Sequence, residues 1–212
     1  AERQLCRSVF GRFLAPNSIV GCGIEMAPEA EWSGVKAKYE LPDEYVLYLG
    51  RVSKAKVDKL LPYFLRCKAK YGGDAKLVLV GGFENEIRKF DSPDILFTGY
   101  VSDEEKTAIV RHATVMVNPS PMESLSLLML EGMQSRIPLL VNGRSKVMKD
   151  HCRLSGAGLW YNNGRDFRKK LHRLLSDPEL RRTMSEKGPA YVREHYDWEI
   201  IIPKLRTLIE SI

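Results

Sequence analysis

From Tyr45 onward the chain alternates short apolar runs with longer amphipathic ones, and no other feature limits its fold as strongly. The apolar runs are "YVLYLGRV", "AKLVLVGG", "DILFTGY", "TVMVNPS", "IPLLVNG" and "GAGLWYN". Between them, "KVDKLLPYFLRCKAKYG", "FENEIRKF", "SDEEKTAIVRHA" and "SLSLLMLEGMQSR" read as helices. A strand that is apolar throughout is buried on both faces, and the helix that follows each strand supplies the cover. The pattern therefore predicts right-handed β-α-β winding of a parallel sheet. Ser102 and Glu105 form the S-x-x-E capping box that opens one of these helices. From about Asn163 the chain reads as helix, with starts at turn signals such as Asp177-Pro178. The fold class expected is α/β: a Rossmann-like three-layer sandwich with a parallel sheet and a helical C-terminal appendage.

Before Tyr45 the pattern is weaker. Residues 1–18 read as a short basic helix and a Pro-Asn turn, and "SIVGCGIE" as a strand running into a glycine turn. "MAPEAEWSGVKAKYELPDE" reads as a connector without periodicity. The 212 residues, 44% hydrophobic and 28% charged, suit one large globular domain or two small ones and argue against a disordered or fibrous class. No apolar run approaches the roughly 18–20 residues of a membrane span, and the opening "AERQLCRSVFGRF" lacks the apolar centre of a secretory signal. A cytoplasmic location is expected. Cys6, Cys22, Cys67 and Cys152 show no zinc or disulfide-framework spacing and read as reduced. The net charge of +6 is spread over several segments. It suits nucleic acid, an anionic membrane surface or a phosphorylated small molecule equally, so charge does not choose a partner.

Open parallel sheets bind ligands outside the carboxyl ends of their strands, where loops lead into helix N-termini. Four loops of this chain lie there: "GRVSKAK", "GGFE", "GYVSDEE" and "NPSPMESLS". The last carries Glu123 at its mouth and runs into a helix carrying Glu131. A carboxylate accepts hydrogen bonds from neighbouring hydroxyls, and a starting helix offers free amides. The pair can therefore hold the two sugar ends of a nucleotide-sugar around its diphosphate. The plainer alternative is two acids near a helix start, favoured by its dipole, with Ser124 or Ser126 as N-cap.

Arg51 directly follows a strand and Lys56 lies five residues on, so both can converge on one anion above the sheet, although each alone reads as a solvated charge. Gly81-Gly82 fits neither a dinucleotide fingerprint nor a P-loop, which disfavours NAD binding and P-loop chemistry and leaves a tight turn or a close backbone approach. Main-chain groups at Tyr100 and Val101 can meet a base, but a capped helix start explains that segment as well. The histidines, at 112, 151, 172 and 195, lack metal-ligand spacing, and the adjacent His151 and Cys152 have no acid partner to complete a catalytic set. Trp198, Ile201, Leu205 and Leu208 share one helix face, which reads as core packing.

In this order the loops resemble the C-terminal half of the retaining glycosyltransferases called group 1, or family 4, which have the GT-B fold. Gly50, Arg51 and Lys56 match the family's strand, Gly-Arg and lysine pattern, and "GYVSDEE" is similar to its base-contact segment. "NPSPMESLSLLMLEGMQSRIPLLVNG" matches its proline-serine loop, E-x7-E motif and following strand, and "GAGLWY" resembles the next, glycine-bearing strand. The chain departs from the family's usual glycines at Ser124 and Ser126, and has Val57 and Lys146 where a glycine and an acid are common. The resemblance covers about residues 19–212. It implies one half of a GT-B fold, with 19–212 as the nucleotide-sugar-binding domain and 1–18 as a linker or the end of a missing N-terminal domain.

By this resemblance Arg51 and Lys56 neutralise the donor diphosphate and Glu123 holds hydroxyls of the transferred sugar, these three forming the catalytic set. Glu131 holds the ribose, and amides near Ser126 and Leu127 receive phosphate oxygens. Gly82, Val101, Ser124 and Leu125 complete the donor-binding residues, with main chain near Val101 against the base. The implied enzyme is a hexosyltransferase that moves a sugar from a nucleoside diphosphate sugar, UDP- or GDP-linked, to a glycan, a lipid-linked sugar or a small molecule. No acidic D-x-D pair points to a catalytic metal, and no separate cofactor is implied. The acceptor side belongs to the missing N-terminal domain, so the chain by itself is expected to be inactive in transfer. Peripheral contact with the inner face of a membrane is compatible with its charge, and nucleic acid is not expected as a partner. Two other readings stay open on sequence alone: a non-catalytic nucleotide-sugar or polyanion-binding module, and a sugar-nucleotide epimerase of the same two-domain fold.

Overall fold

A computed structural model of the protein describes residues 8–11, 20–84 and 92–210. Six strands, β1 (Tyr45–Leu49), β2 (Lys76–Val80), β3 (Ile95–Gly99), β4 (Val115–Asn118), β5 (Leu139–Asn142) and β6 (Gly158–Tyr161), form one sheet in the order β3-β2-β1-β4-β5-β6. Every neighbouring pair is parallel. The winding direction reverses between β1 and β4, so their C-terminal ends part and leave a crevice at the switch point.

All five residues of β1 are buried. Alternation along the strand sends Val46 and Tyr48 to one core, with Leu61, Phe64, Phe167 and Leu171. Tyr45, Leu47 and Leu49 face the other core, with Ile109, Leu130, Met133 and Val192. Helices Leu60–Tyr71 and Gly164–Ser176 thus cover one face, and Asp103–Arg111, Leu127–Gln134 and Pro178–Tyr196 the other. Each leucine so buried contributes about 1.5–3 kcal/mol. The result is the three-layer sandwich expected. Within it, Gly188 brings the helix Pro178–Tyr196 against the helix Leu127–Gln134 so closely that a Cβ there would sit well inside 3.0 Å of the Met133 carbonyl. That contact fixes the helix carrying Glu131.

Several expectations need correction. Residues 20–25 form no strand: Ile24 N donates to Tyr196 O at 2.9 Å, and Gly23 lies against the Trp198 ring, so this segment is pinned to the C-terminal helices rather than to a sheet ladder. The connector contains a helix, Trp32–Lys38, because the Glu31 carboxylate accepts from Ser33 N and Gly34 N as an N-cap and Val35 is buried. The single helix expected after β1 is two, Lys54–Val57 and Leu60–Tyr71. The segment "GRSKVMKDH", to which the sequence assigned no helix, is largely helix, Lys146–Ser155, capped by Ser145 Oγ. On the face of Trp198, Ile201, Leu205 and Leu208 in the last helix, Trp198–Glu210, Ile201 is buried and Leu208 half-buried, while Trp198 and Leu205 are exposed, so core packing holds at Ile201 and not along the whole face. The opening helix-turn expected within 1–18, apart from residues 8–11, and the helix expected in "FENEIRKF" beyond Glu84 lie outside the described residues. So does Cys6, while Cys22, Cys67 and Cys152 are free thiols. Among the described residues no helix is long and apolar enough to cross a membrane.

Candidate functional site

The crevice between β1 and β4 is a cleft of about 510 Å³. Its walls are the end of β1 with Gly50 and Arg51, Lys56, the end of β4 with Ser120, and the loop 123–128. Arg51, Lys56, Glu123, Ser124, Leu125, Ser126 and Leu127, all singled out in the sequence, therefore meet in one place.

Arg51 leaves β1 immediately after Gly50. The Tyr48 hydroxyl donates to the Arg51 carbonyl at 2.9 Å and pins the turn. Burial, and to a lesser degree the Glu123 charge, push the Tyr48 phenol up to about 12, so it stays a neutral donor at physiological pH. Gly81, at φ +132°, passes so near Gly50 that a Cβ would overlap the Gly50 carbonyl oxygen. The close backbone approach expected of the glycine pair is thus found at Gly81, and it draws the ends of β1 and β2 together. Among the described residues the Arg51 side chain has no ion-pair partner, which leaves its guanidinium open to an anion.

Lys56 Nζ lies 3.4 Å from Ser120 Oγ and 3.8 Å from Glu123 Oε1. With the two side chains 47% and 26% exposed, this pair is loose and screened, and the ammonium can exchange it for a ligand phosphate. The proline-serine loop, in contrast, is stapled. Asn118 Oδ1 accepts from Ser120 N at 3.0 Å, its Nδ2 donates to Ser126 Oγ at 3.1 Å, and Ser120 Oγ donates to Met122 O at 2.8 Å. Asn142 Nδ2 donates to Pro119 O at 2.9 Å. Sequence reasoning missed both asparagines. The signal was present, since each is the last residue of its strand on the ligand-binding edge of the sheet.

The helix begins at Leu127, three residues later than "SLSLLMLEGMQSR" suggested. Ser126 takes the N-cap position in the left-handed conformation, φ 65° and ψ 72°, and makes no side-chain cap bond. Its carbonyl accepts from Met129 N and Leu130 N at 3.0 and 3.3 Å. The amides of Leu127 and Leu128 precede these first helical bonds, and both residues line the cleft. The cleft thus combines two cations, a carboxylate and a helix N-terminus, a set suited to a diphosphate joined to a polyol.

The remaining predicted residues lie apart. Gly82 lines an adjoining cleft with Phe83, Glu84, Gly99 and the exposed Tyr100, and Arg51 is common to both clefts. Val101 packs against the core. Glu131 lines neither cleft: its Oε1 accepts from Lys106 Nζ at 3.3 Å, and its buried Oε2 has no partner among the described residues. Elsewhere, His151 Nδ1 is 2.8 Å from the Tyr191 hydroxyl, and burial pushes the Cys152 thiol up to about 12, so that pair is structural. Among the described residues no group of three or more His, Cys, Asp or Glu side chains could hold a metal.

Residues 34–191, which include Arg51, Lys56, Gly82, Glu123 and Glu131, match the family described as "Glycosyl transferases group 1". The chain belongs to the group 1 glycosyltransferases. It is 30% identical over 174 residues to an alpha-D-kanosaminyltransferase of Streptomyces kanamyceticus, a match that covers 76% of this chain and 44% of that protein. Among solved structures, the sucrose-phosphate synthase of Thermosynechococcus elongatus superposes with a TM-score of 0.78 at 21% identity, over 99% of this chain and 56% of the synthase. HepE of Anabaena, in complex with UDP and glucose, superposes with a TM-score of 0.70 at 13% identity, over 85% of this glycosyltransferase chain and 52% of HepE. The chain therefore spans about half the length of these proteins. The structural likenesses show a shared α/β Rossmann-like fold, the one expected from the alternation of strands and helices.

Proposed function

We propose that this chain is the donor-binding half of a retaining glycosyltransferase that takes a sugar from a nucleoside diphosphate sugar, UDP- or GDP-linked. The observation that carries the reading is the convergence of Arg51, Lys56, Glu123 and the Leu127 and Leu128 amides on the switch-point cleft. Negative charge grows on the leaving diphosphate as the glycosidic bond breaks. Fixed cations and amides stabilise that charge more in the transition state than in the bound donor, which is how they accelerate the step. Arg51 presents a fork to two phosphate oxygens, and Lys56 gives up its loose contact with Glu123 for a third. Glu123, freed from Lys56, accepts hydrogen bonds from hydroxyls of the transferred sugar. The nucleoside then runs along the helix toward Glu131 and the Tyr100–Val101 turn. On this reading the acceptor is bound by a part that the matched relatives have beyond the half this chain covers, and the chain by itself is expected to transfer little or nothing.

Calorimetry with UDP, GDP, ADP and their sugars tests the proposal. At least one nucleoside diphosphate should bind, and Arg51→Ala should weaken it about tenfold, the size expected for losing charge-assisted hydrogen bonds. Absence of binding across the panel, or an unchanged affinity in the variant, refutes the assignment.

A further inference from the structure

Beside the switch-point cleft, on the same edge of the sheet, lies a larger cavity of about 710 Å³. The proline-serine loop divides the two, with Ser120 lining the first and Pro119 and Pro121 the second. Lys56 alone lines both, and its contacts with Ser120 Oγ and Glu123 Oε1 hold its ammonium on the first side. The second cavity has cations of its own, Lys54, Lys59 and Arg144, none of which makes an ion pair among the described residues. Two tyrosines form its aromatic wall. A Cβ at Gly164 would fall 2.6 Å from the Tyr63 ring, so that glycine seats the ring against the start of the helix Gly164–Ser176. Tyr161, the last residue of β6, meets the Tyr63 ring edge-on and is 4% exposed. Its hydroxyl has no hydrogen-bond partner among the described residues, yet it is not sealed in: among those residues only Glu131 Oε2 is both sealed and unpaired. Burial, and to a lesser degree Tyr63, raise the Tyr161 phenol well above its ordinary value, so it is a proton donor at neutral pH. Buried polar groups are ordinarily paired, and the cavity is where this one can find a partner.

From this arrangement we infer that the second cavity is a separate ligand site, which takes a sugar carrying a phosphate monoester. Arg144 presents a fork to the phosphate, and Lys54 and Lys59 complete the neutralisation of a dianion. The Tyr161 hydroxyl donates to an oxygen of the same ligand. The Tyr63 and Tyr161 rings, with Pro119 and Pro121, offer apolar surface to the C–H face of the sugar. Asp58 and Asn162, which also line the cavity and whose side chains have no hydrogen-bond partner among the described residues, accept from its hydroxyls. A concave site of this volume, with a few polar groups set in an aromatic and proline wall, fits a small molecule rather than a polyanionic chain, which would follow a flat basic face. The inference does not depend on the donor-site reading, since Lys56 is the single residue that the two cavities share.

The experiment is calorimetry of the wild type, Arg144→Ala, Tyr161→Phe and Arg51→Ala with a panel of glucose, mannose, fructose and ribose monophosphates, the unphosphorylated sugars, inorganic phosphate and UDP. At least one sugar phosphate should bind the wild type about tenfold more tightly than either inorganic phosphate or its parent sugar. Arg144→Ala should weaken it about tenfold and Tyr161→Phe about fivefold, the sizes expected for losing hydrogen bonds to a charged group and from a neutral one. Arg51→Ala should leave it unchanged, and UDP should bind Arg144→Ala and Tyr161→Phe as it binds the wild type. Arg144 is exposed, so its variant serves alone if Tyr161→Phe does not fold. Absence of binding across the panel, or binding that Arg144→Ala leaves unchanged, overturns the inference. A sugar phosphate that UDP displaces and that Arg51→Ala weakens instead would lie in the switch-point cleft, which also overturns it. Inorganic phosphate binding as tightly as every sugar phosphate would leave an adventitious ion only and overturn the sugar site. Failure of UDP to bind, with sugar phosphate still held through Arg144, would refute the donor-site reading and leave this inference standing.

Discussion

Replacing Ser126 by alanine removes a hydrogen bond and leaves the backbone strained, whereas glycine removes the bond and the strain together. Ser126 sits at φ 65° and ψ 72°, a conformation that costs a residue with a Cβ about 1–2 kcal/mol. The bond from Asn118 Nδ2 to Ser126 Oγ, 3.1 Å long, offsets that with about 0.5–1.5 kcal/mol. Ser126→Ala should therefore destabilise the chain by about 1 kcal/mol. Ser126→Gly should lie about 1 kcal/mol above the alanine variant and near the wild type, part of its relief being cancelled by the greater freedom of glycine in the unfolded chain. In a chain of this size 1 kcal/mol moves the melting temperature by about 2–4 °C. Urea denaturation with an unchanged m-value, together with thermal unfolding, measures the difference. Equal stability of the alanine and glycine variants would refute the reasoning, since it would mean that the left-handed turn before the helix stores no strain.

Two further outcomes follow from the same geometry. Gly81→Ala places a Cβ on the Gly50 carbonyl oxygen at φ +132° and should cost at least about 2 kcal/mol, read as a lower urea midpoint; a midpoint equal to wild type would show that the ends of β1 and β2 are free to part. Glu105 is held at about 2, below its ordinary 4.5, chiefly by the Lys38 ammonium and then by the Ser102 amide. A lowered carboxyl pKa contributes stability above the unfolded-state value and loses it as pH falls toward the folded one. Glu105→Gln should therefore lie about 1 kcal/mol below wild type at neutral pH, and the gap should close between about pH 4.5 and 2 in urea titrations, whereas a pH-independent gap would contradict the ion pair.

Legibility varied from element to element for identifiable reasons. The inner strands β1, β2, β4 and β5 were readable because burial on both faces writes an unbroken apolar run, and the Ser102 capping box because it is a four-residue device. The helix Trp32–Lys38 was not, since it buries one residue, Val35, and is capped by a glutamate rather than by the usual short polar side chains. Trp198 and Leu205 misled because helical spacing of apolar residues shows that a face exists, not what covers it. The start at Leu127 was hidden by Ser124 and Ser126, two equally good N-cap types, of which the left-handed turn selects the second.

The ingredients of the site were legible in the order of the residues: Arg51 and Lys56 after one strand, Glu123 and a helix start after another, all on the ligand-binding edge of a parallel sheet. Loop composition is local, and so it survives in a string of letters. Which of these ingredients meet depends on strand order and helix packing. Strand order brings β1 beside β4 although β2 and β3 lie between them in the chain, and this closes Arg51, Lys56 and Glu123 around one cleft. Helix packing across 25 residues of sequence turns Glu131 toward Lys106 instead, a partner that no local pattern could supply because the contact depends on two helices settling on the same face of the sheet.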